Sequence, residues 1–224
     1  MASERTKSNP PHLWQRLSPT ERLVAALIAA VALGGLLLIA DGLYMKAKAS
    51  LSQVLLNRSF NAELAGDAGA KPWSWADFST DARIVAPRLG KSAIVLSGAT
   101  GEALAFGPAH LNGTPEPGDE GTAVIAAHRD THFSWLKDVE PGDLLEVERG
   151  DGTILTFRTS GSRIARWDES GIDPQAFGHN LALTTCWPFG ATERGPLRYI
   201  VEASLIETTT RKTSELSANA TRYR

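Results

Sequence analysis

The longest unbroken apolar stretch in the 224-residue chain is LVAALIAAVALGGLLLIA, Leu23 to Ala40, and GLYM continues it beyond Asp41. A helix of that length crosses a hydrocarbon core, and no polar face interrupts it as one would in a surface helix. Ser18, Pro19 and Glu21 form a capping-box pattern with proline at the first helical position, which fixes the start. The pattern predicts an N-terminal segment 1–18 and a transmembrane anchor helix over 19–45. A cleavable signal is the competing reading, because AKA at 47–49 resembles a small-residue cleavage site. The leader ahead of the apolar run is long for a signal peptide, which favours a retained anchor.

Beyond the span, KASLSQVLLNRSFNAEL keeps Leu51, Val54 and Leu55 at helical spacing, so the helix is expected to continue as a stalk or linker over 46–71. Gly66, Gly69 and Pro72 then punctuate AGDAGAKP, and a domain boundary is expected near residue 70. From about residue 82 the texture changes to short β-rich runs: ARIVAPRL, KSAIVLSG, GTAVIAAH, DLLEVERGDGTILTFRTSGSRIARW, NLALTTC and LRYIVEASLIE. Turn residues separate them, and no helix-length periodic segment lies among them, which predicts an all-β sandwich or barrel. RGDG, Arg149 to Gly152, reads as a hairpin turn. SGATGEALAFG, Ser97 to Gly107, reads as turns. The polar stretch 208–224 reads as a disordered tail.

Charge removes one function class. The 23 Lys+Arg nearly balance the 25 Asp+Glu, and no basic run is interleaved with aromatics, so nucleic acid has no visible electrostatic footprint. Arg5, Lys7, Arg16 and Arg22 precede the span, against Lys46, Lys48 and Arg58 after it, a slight lean toward a cytoplasmic N-terminus.

Cys186 is the single cysteine, which excludes an intrachain disulfide and any cysteine-cluster metal site. It ends the strand-like run LALTTC, stopped by WPFG, since Pro188 cannot continue a central strand. Of the histidines, His12 lies across the anchor. His128 ends the buried-strand run GTAVIAAH, and His132 and His179 lie in more polar surroundings that suggest surface positions. LRYIVEA returns the chain after the loop, and antiparallel pairing would set Arg198 near Cys186. Arg194, inside the loop, is the competitor. An arginine there would favour a thiolate and offer donors to an oxyanion. From spacing alone, Cys186 reads as evenly a nucleophile or a small core residue. HRDTH lacks the glutamate and helical pattern of a zinc peptidase, and HRD lacks the accompanying kinase motifs.

TAVIAAHRDTHFSWLKDVEPGD (122–143), LTTCWPFG (183–190) and GPLRYIVEA (195–203) together resemble the sortases, membrane-anchored cysteine transpeptidases, and in particular those of Gram-negative bacteria. PWSWADF (72–78) and ALAFGPAHLNGT (103–114) resemble the same group. The resemblance implies an eight-stranded closed β-barrel with short helices over 72–207. It implies Cys186 as nucleophile, His128 as general acid/base and Arg198 as oxyanion or substrate stabiliser. Ala182 replaces the first threonine of the family's Thr-Leu-x-Thr-Cys pattern. No counterpart of the acidic calcium ligands of some members is recognisable, so no metal or other cofactor is expected.

The implied reaction is attack of Cys186 on a Leu-Pro-x-Thr-Gly-type signal at the C-terminal end of a secreted protein, giving a thioacyl enzyme that an amine acceptor resolves. The implied location is the inner membrane, single-pass, with the catalytic domain in the periplasm. Two rivals stand beside this reading: a membrane-tethered, non-catalytic β-domain that binds a partner, and a hydrolysing cysteine peptidase. Trp187 and Phe189 are expected to pack on the barrel rather than shape a groove.

Overall fold

The structure, a computed structural model, describes residues 18–67, 69–193 and 195–210. His12, Arg194 and residues 211–224 lie outside the described residues. The chain divides into two compact units, Met1–Ser50 and Leu51 onward.

Helix α1 (Pro19–Leu64) begins at the expected cap. The Ser18 amide and hydroxyl donate to Glu21 Oε2 at 2.8 and 2.9 Å, and the hydroxyl accepts from the Glu21 amide at 3.4 Å. In the first unit the helix carries an eighteen-residue window of mean hydropathy 2.8 with none of it buried, which makes it a candidate transmembrane span.

In the second unit the last turns of α1 are not a free stalk. Leu56 and Phe60 are fully buried in a cluster with Ala76, Phe78, Ile94, Leu96, Ala103 and Ala109. The folded unit therefore starts about twenty residues before the boundary expected near 70, because this helical segment supplies core side chains.

The strands are β1 (Thr80–Ala86), β2 (Lys91–Ser97), β3 (Ala109–His110), β4 (Gly121–Ala126), β5 (Leu144–Arg149), β6 (Thr153–Arg166), β7 (His179–Cys186) and β8 (Leu197–Thr210). They close into an eight-stranded barrel in the order β1-β2-β3-β4-β7-β8-β6-β5. Pairing is antiparallel except at β2–β3 and β4–β7, which run parallel. β5 and β6 form the hairpin expected at RGDG, with Glu148 opposite Ile154. β8 runs to Thr210, so Thr208 to Thr210 are strand rather than tail. The stretch Ser97 to Gly107 holds a short helix, α2 (Gly101–Phe106), where turns alone were expected, and the Thr100 hydroxyl caps it by accepting from the Ala103 amide at 3.1 Å.

Period-two alternation sorts the side chains between the two barrel faces. Ala123, Ile125, Leu181, Leu183, Val201 and Ala203 point inward to the main core, where Phe157, Phe133 and Leu145 are fully buried. The intervening positions Val124, Ala182 and Ile200 point outward and form a small apolar cluster of their own, covered by Leu111, Ala165 and Ile172. The continuously apolar reading of β4 thus reflects burial on both faces.

Candidate active site

Three chain segments converge where β7 ends. β7 and β8 pair antiparallel with Cys186 directly opposite Arg198. On the other side β4 runs parallel to β7 with Ala126 opposite Thr184, and the Ala127 amide continues the ladder by donating to the Thr184 carbonyl at 3.1 Å. The strand pairing of β4 ends at Ala126, so His128 follows β4 by two residues as Cys186 follows Thr184 by two. The thiol's strand is therefore flanked by the histidine segment on one side and the arginine strand on the other.

The backbone aims these side chains outward. Leu181, Leu183 and Thr185 face the interior, so Ala182, Thr184 and Cys186 face out. Thr185 is buried and donates its hydroxyl to the Ala127 carbonyl at 2.7 Å, which ties the strand before Cys186 to the residue before His128. His128 is exposed between the buried Ala127 and Arg129, and its carbonyl accepts from the Phe133 amide at 3.1 Å as the chain turns away. Cys186 and Arg198 are half-buried. The Arg198 guanidinium donates through Nη1 to the carbonyls of Gly195 and Leu197, both at 2.9 Å. No other guanidinium nitrogen of Arg198 is hydrogen-bonded among the described residues.

Aromatic packing supports the loop after Cys186. Trp187 stacks on Tyr199 with centroids 5.7 Å apart, and Phe189 meets Tyr199 edge-on at 5.3 Å. Phe189 and Tyr199 also pack on the main core, as expected for WPFG. His132, expected at the surface, is half-buried. Burial holds its pKa below the ordinary imidazole value, and the neighbouring His128 adds to the shift. His179 is exposed, as expected.

A cleft of about 370 Å³ opens at the other end of β7, lined by residues including Thr122, Ile172, Asn180, Ala182 and Glu202. Ala182 precedes Cys186 by four residues, about 13 Å along a strand, so the cleft and the thiol share one outer face without touching. The segment between β6 and β7 walls the cleft and docks on the start of β4: the Pro174 carbonyl accepts from the Thr122 amide at 3.1 Å. Gly121 sits at φ +114°, and a Cβ there would meet that carbonyl at 2.2 Å, so only glycine permits the approach.

Sequence reasoning passed over His110. It is buried, with Nε2 2.9 Å from the Pro115 carbonyl and Nδ1 3.3 Å from Asp81 and 3.8 Å from Glu116. The ligand atoms of Asp81, His110 and Glu116 lie within 4.8 Å of one another, a spacing open to a cation, although a protonated imidazole satisfies the same carboxylates.

The closed barrel thus carries its lone cysteine at the end of β7, opposite Arg198 and beside the strand that leads into His128. A family model described as the Sortase domain matches residues 84–206, more than half of the chain, and the chain belongs to the sortase family. Members of that family are cysteine transpeptidases. Sortase D of Bacillus subtilis is 29% identical over 115 residues, 51% of this chain and 58% of Sortase D. This chain thus matches somewhat more than half the length of that relative. The structure of sortase E from Streptomyces avermitilis is 30% identical with a TM-score of 0.50, covering 58% of this chain and 90% of that one. Sortase C-3 of Streptococcus pneumoniae, at 22% identity, shares the fold with a TM-score of 0.55, covering 78% and 91% of the two chains.

Proposed function

We propose that this chain is a sortase-type transpeptidase that cleaves a Leu-Pro-x-Thr-Gly-like signal of a secreted protein and transfers the acyl fragment to an amine. The observation that carries the reading is the register: Cys186 pairs with Arg198 across β8, and the β4–β7 ladder runs to Ala126 opposite Thr184, two residues ahead of His128 and Cys186. In this mechanism the Cys186 thiolate attacks the threonine carbonyl carbon, and the negative charge moves to its oxygen. Arg198 donates the N–H groups not engaged by Gly195 and Leu197 to that oxygen. His128, as imidazolium, protonates the departing amine as the C–N bond breaks. The incoming amine attacks the thioacyl carbon, gives its proton to His128 and releases the thiolate.

The outer face of β7 suits an extended peptide. Five residues span about 17 Å, enough to run from Cys186 past Thr184 toward the cleft at Asn180. The leucine and proline would rest on Leu111, Ala165 and Ile172, which cover the buried Val124, Ala182 and Ile200. With the anchor in the inner membrane, the resemblance to Gram-negative sortases and the basic residues ahead of the span both favour a periplasmic barrel.

The test is the full chain in detergent with a sorting-signal peptide and a short amine acceptor, followed by mass spectrometry. A ligated product made by the wild type and absent with Cys186→Ala supports the proposal. Cleavage that never yields ligated product identifies a hydrolysing peptidase, and no reaction across signal variants rejects the catalytic reading.

A further inference from the structure

The residue after His128 is a buried cation that stability does not call for. Arg129 is 7% exposed, and its Nη2 donates to the carbonyls of Ala191 and, at 3.0 Å, Glu193. Its one carboxylate neighbour among the described residues, Asp130, approaches Nε only to 3.5 Å and is itself 64% exposed. Nη1 is buried with no hydrogen-bond partner among the described residues. A guanidinium removed from water and paired this loosely does not recover its desolvation cost, and an apolar side chain of similar volume would be about as stable.

Its position explains what it does instead. Ala191 and Glu193 lie in the loop between β7 and β8, and Arg198 grips the carbonyls of Gly195 in that loop and of Leu197 at the start of β8. Two guanidinium groups thus hold every second carbonyl from 191 to 197, one reaching from the histidine segment and the other from β8. Arg129 is also the chain neighbour of His128, which is exposed between the buried Ala127 and Arg129, so an anchored Arg129 restrains the backbone that carries the imidazole.

We infer that Arg129 is a positioning residue for the proposed transfer reaction: it locks the histidine segment to the β7–β8 loop and keeps His128 over Cys186. This rests on the catalytic reading of His128 and Cys186. Loss of the clamp lets the loop and the histidine move apart while the barrel stays folded. It acts on the chemical step more than on peptide binding along β7.

The test compares full-length wild type, Arg129→Met, Arg129→Lys and His128→Ala in detergent, and it follows Cys186 alkylation by iodoacetamide against pH together with peptide-transfer kinetics and thermal melting. The expected result is a wild-type alkylation profile distinct from that of His128→Ala, and an Arg129→Met profile that moves onto the His128→Ala curve. Transfer should lose roughly 10- to 100-fold in kcat with little change in KM, as expected from misplacing a reacting group. Arg129→Lys, which keeps a donor but not the fork, should fall between and serves as the readout if the methionine variant does not fold. An Arg129 variant that keeps the wild-type alkylation profile overturns the inference, whatever its melting temperature. Coincident wild-type and His128→Ala profiles would instead remove the catalytic reading, and the inference with it.

Discussion

At the scale of single residues, the site depends on which face of a strand each side chain takes. Thr185 and Cys186 are neighbours with opposite assignments: the threonine is buried and bonded to the Ala127 carbonyl, and the cysteine faces out. That hydroxyl bonds next to His128, whereas the Asn180 side chain, which donates to the Gly121 carbonyl at 3.3 Å, ties β7 to β4 at the opposite end of the strand. Thr185→Val keeps the volume and removes the donor, leaving a carbonyl unsatisfied in a buried setting. We expect a loss of about 1–3 kcal/mol in urea denaturation, with transfer activity falling more than a stability change alone would cause. The placement of Cys186 against Arg198 was legible in the sequence, because two strand-like runs joined by a loop fix which ends meet. Arg129 was not, since its burial belongs to a loop in which no periodicity tells inside from outside.

At the scale of elements, the tail end of α1 shows where pattern reading goes astray. The apolar stripe Leu51, Val54, Leu55 suggested a stalk, yet Leu51 and Val54 are exposed, and the buried face is Ser52, Leu56, Ser59 and Phe60. Those positions follow helical spacing, but two of the four are serines, so the face does not register as hydrophobic. The Ser59 hydroxyl reconciles its burial by donating to the Ala70 carbonyl at 2.7 Å. The barrel strands, by contrast, were readable because their alternation matches one buried and one outer face. The helix end is thus part of the fold: Phe60→Ala should cost about 3–5 kcal/mol in chemical denaturation. A fragment beginning at residue 72 should unfold at lower urea than one beginning at 51, because it leaves the cluster of Phe78, Leu96 and Ala109 without its cover. Equal midpoints for the two fragments would contradict this packing.

At the scale of the whole molecule, the stability of the barrel should depend on pH through the group around His110. The Asp81 carboxylate raises the His110 pKa above the ordinary 6.5, outweighing the opposing effect of burial. Burial likewise raises Glu116 above 4.5, and nearby Asp81 adds to it. Folded protein therefore holds these protons more tightly than unfolded chain does, and wherever the native state binds more protons, stability falls as pH rises. The His110 contribution is complete below 6.5 and is lost as pH climbs through the folded-state value. His132 works in the other direction, since burial lowers its pKa, but its influence is finished once pH exceeds the unfolded value of 6.5. Above pH 6.5 His132 consequently no longer opposes His110. Melting temperatures measured at successive pH values from 6.5 to about 8.5 should decline in the wild type and stay flatter in His110→Asn, which removes the titrating ring. A wild-type curve that rises across this window, or an unchanged slope in the variant, would show that the imidazole beside Asp81 is not what sets the alkaline limit of the fold.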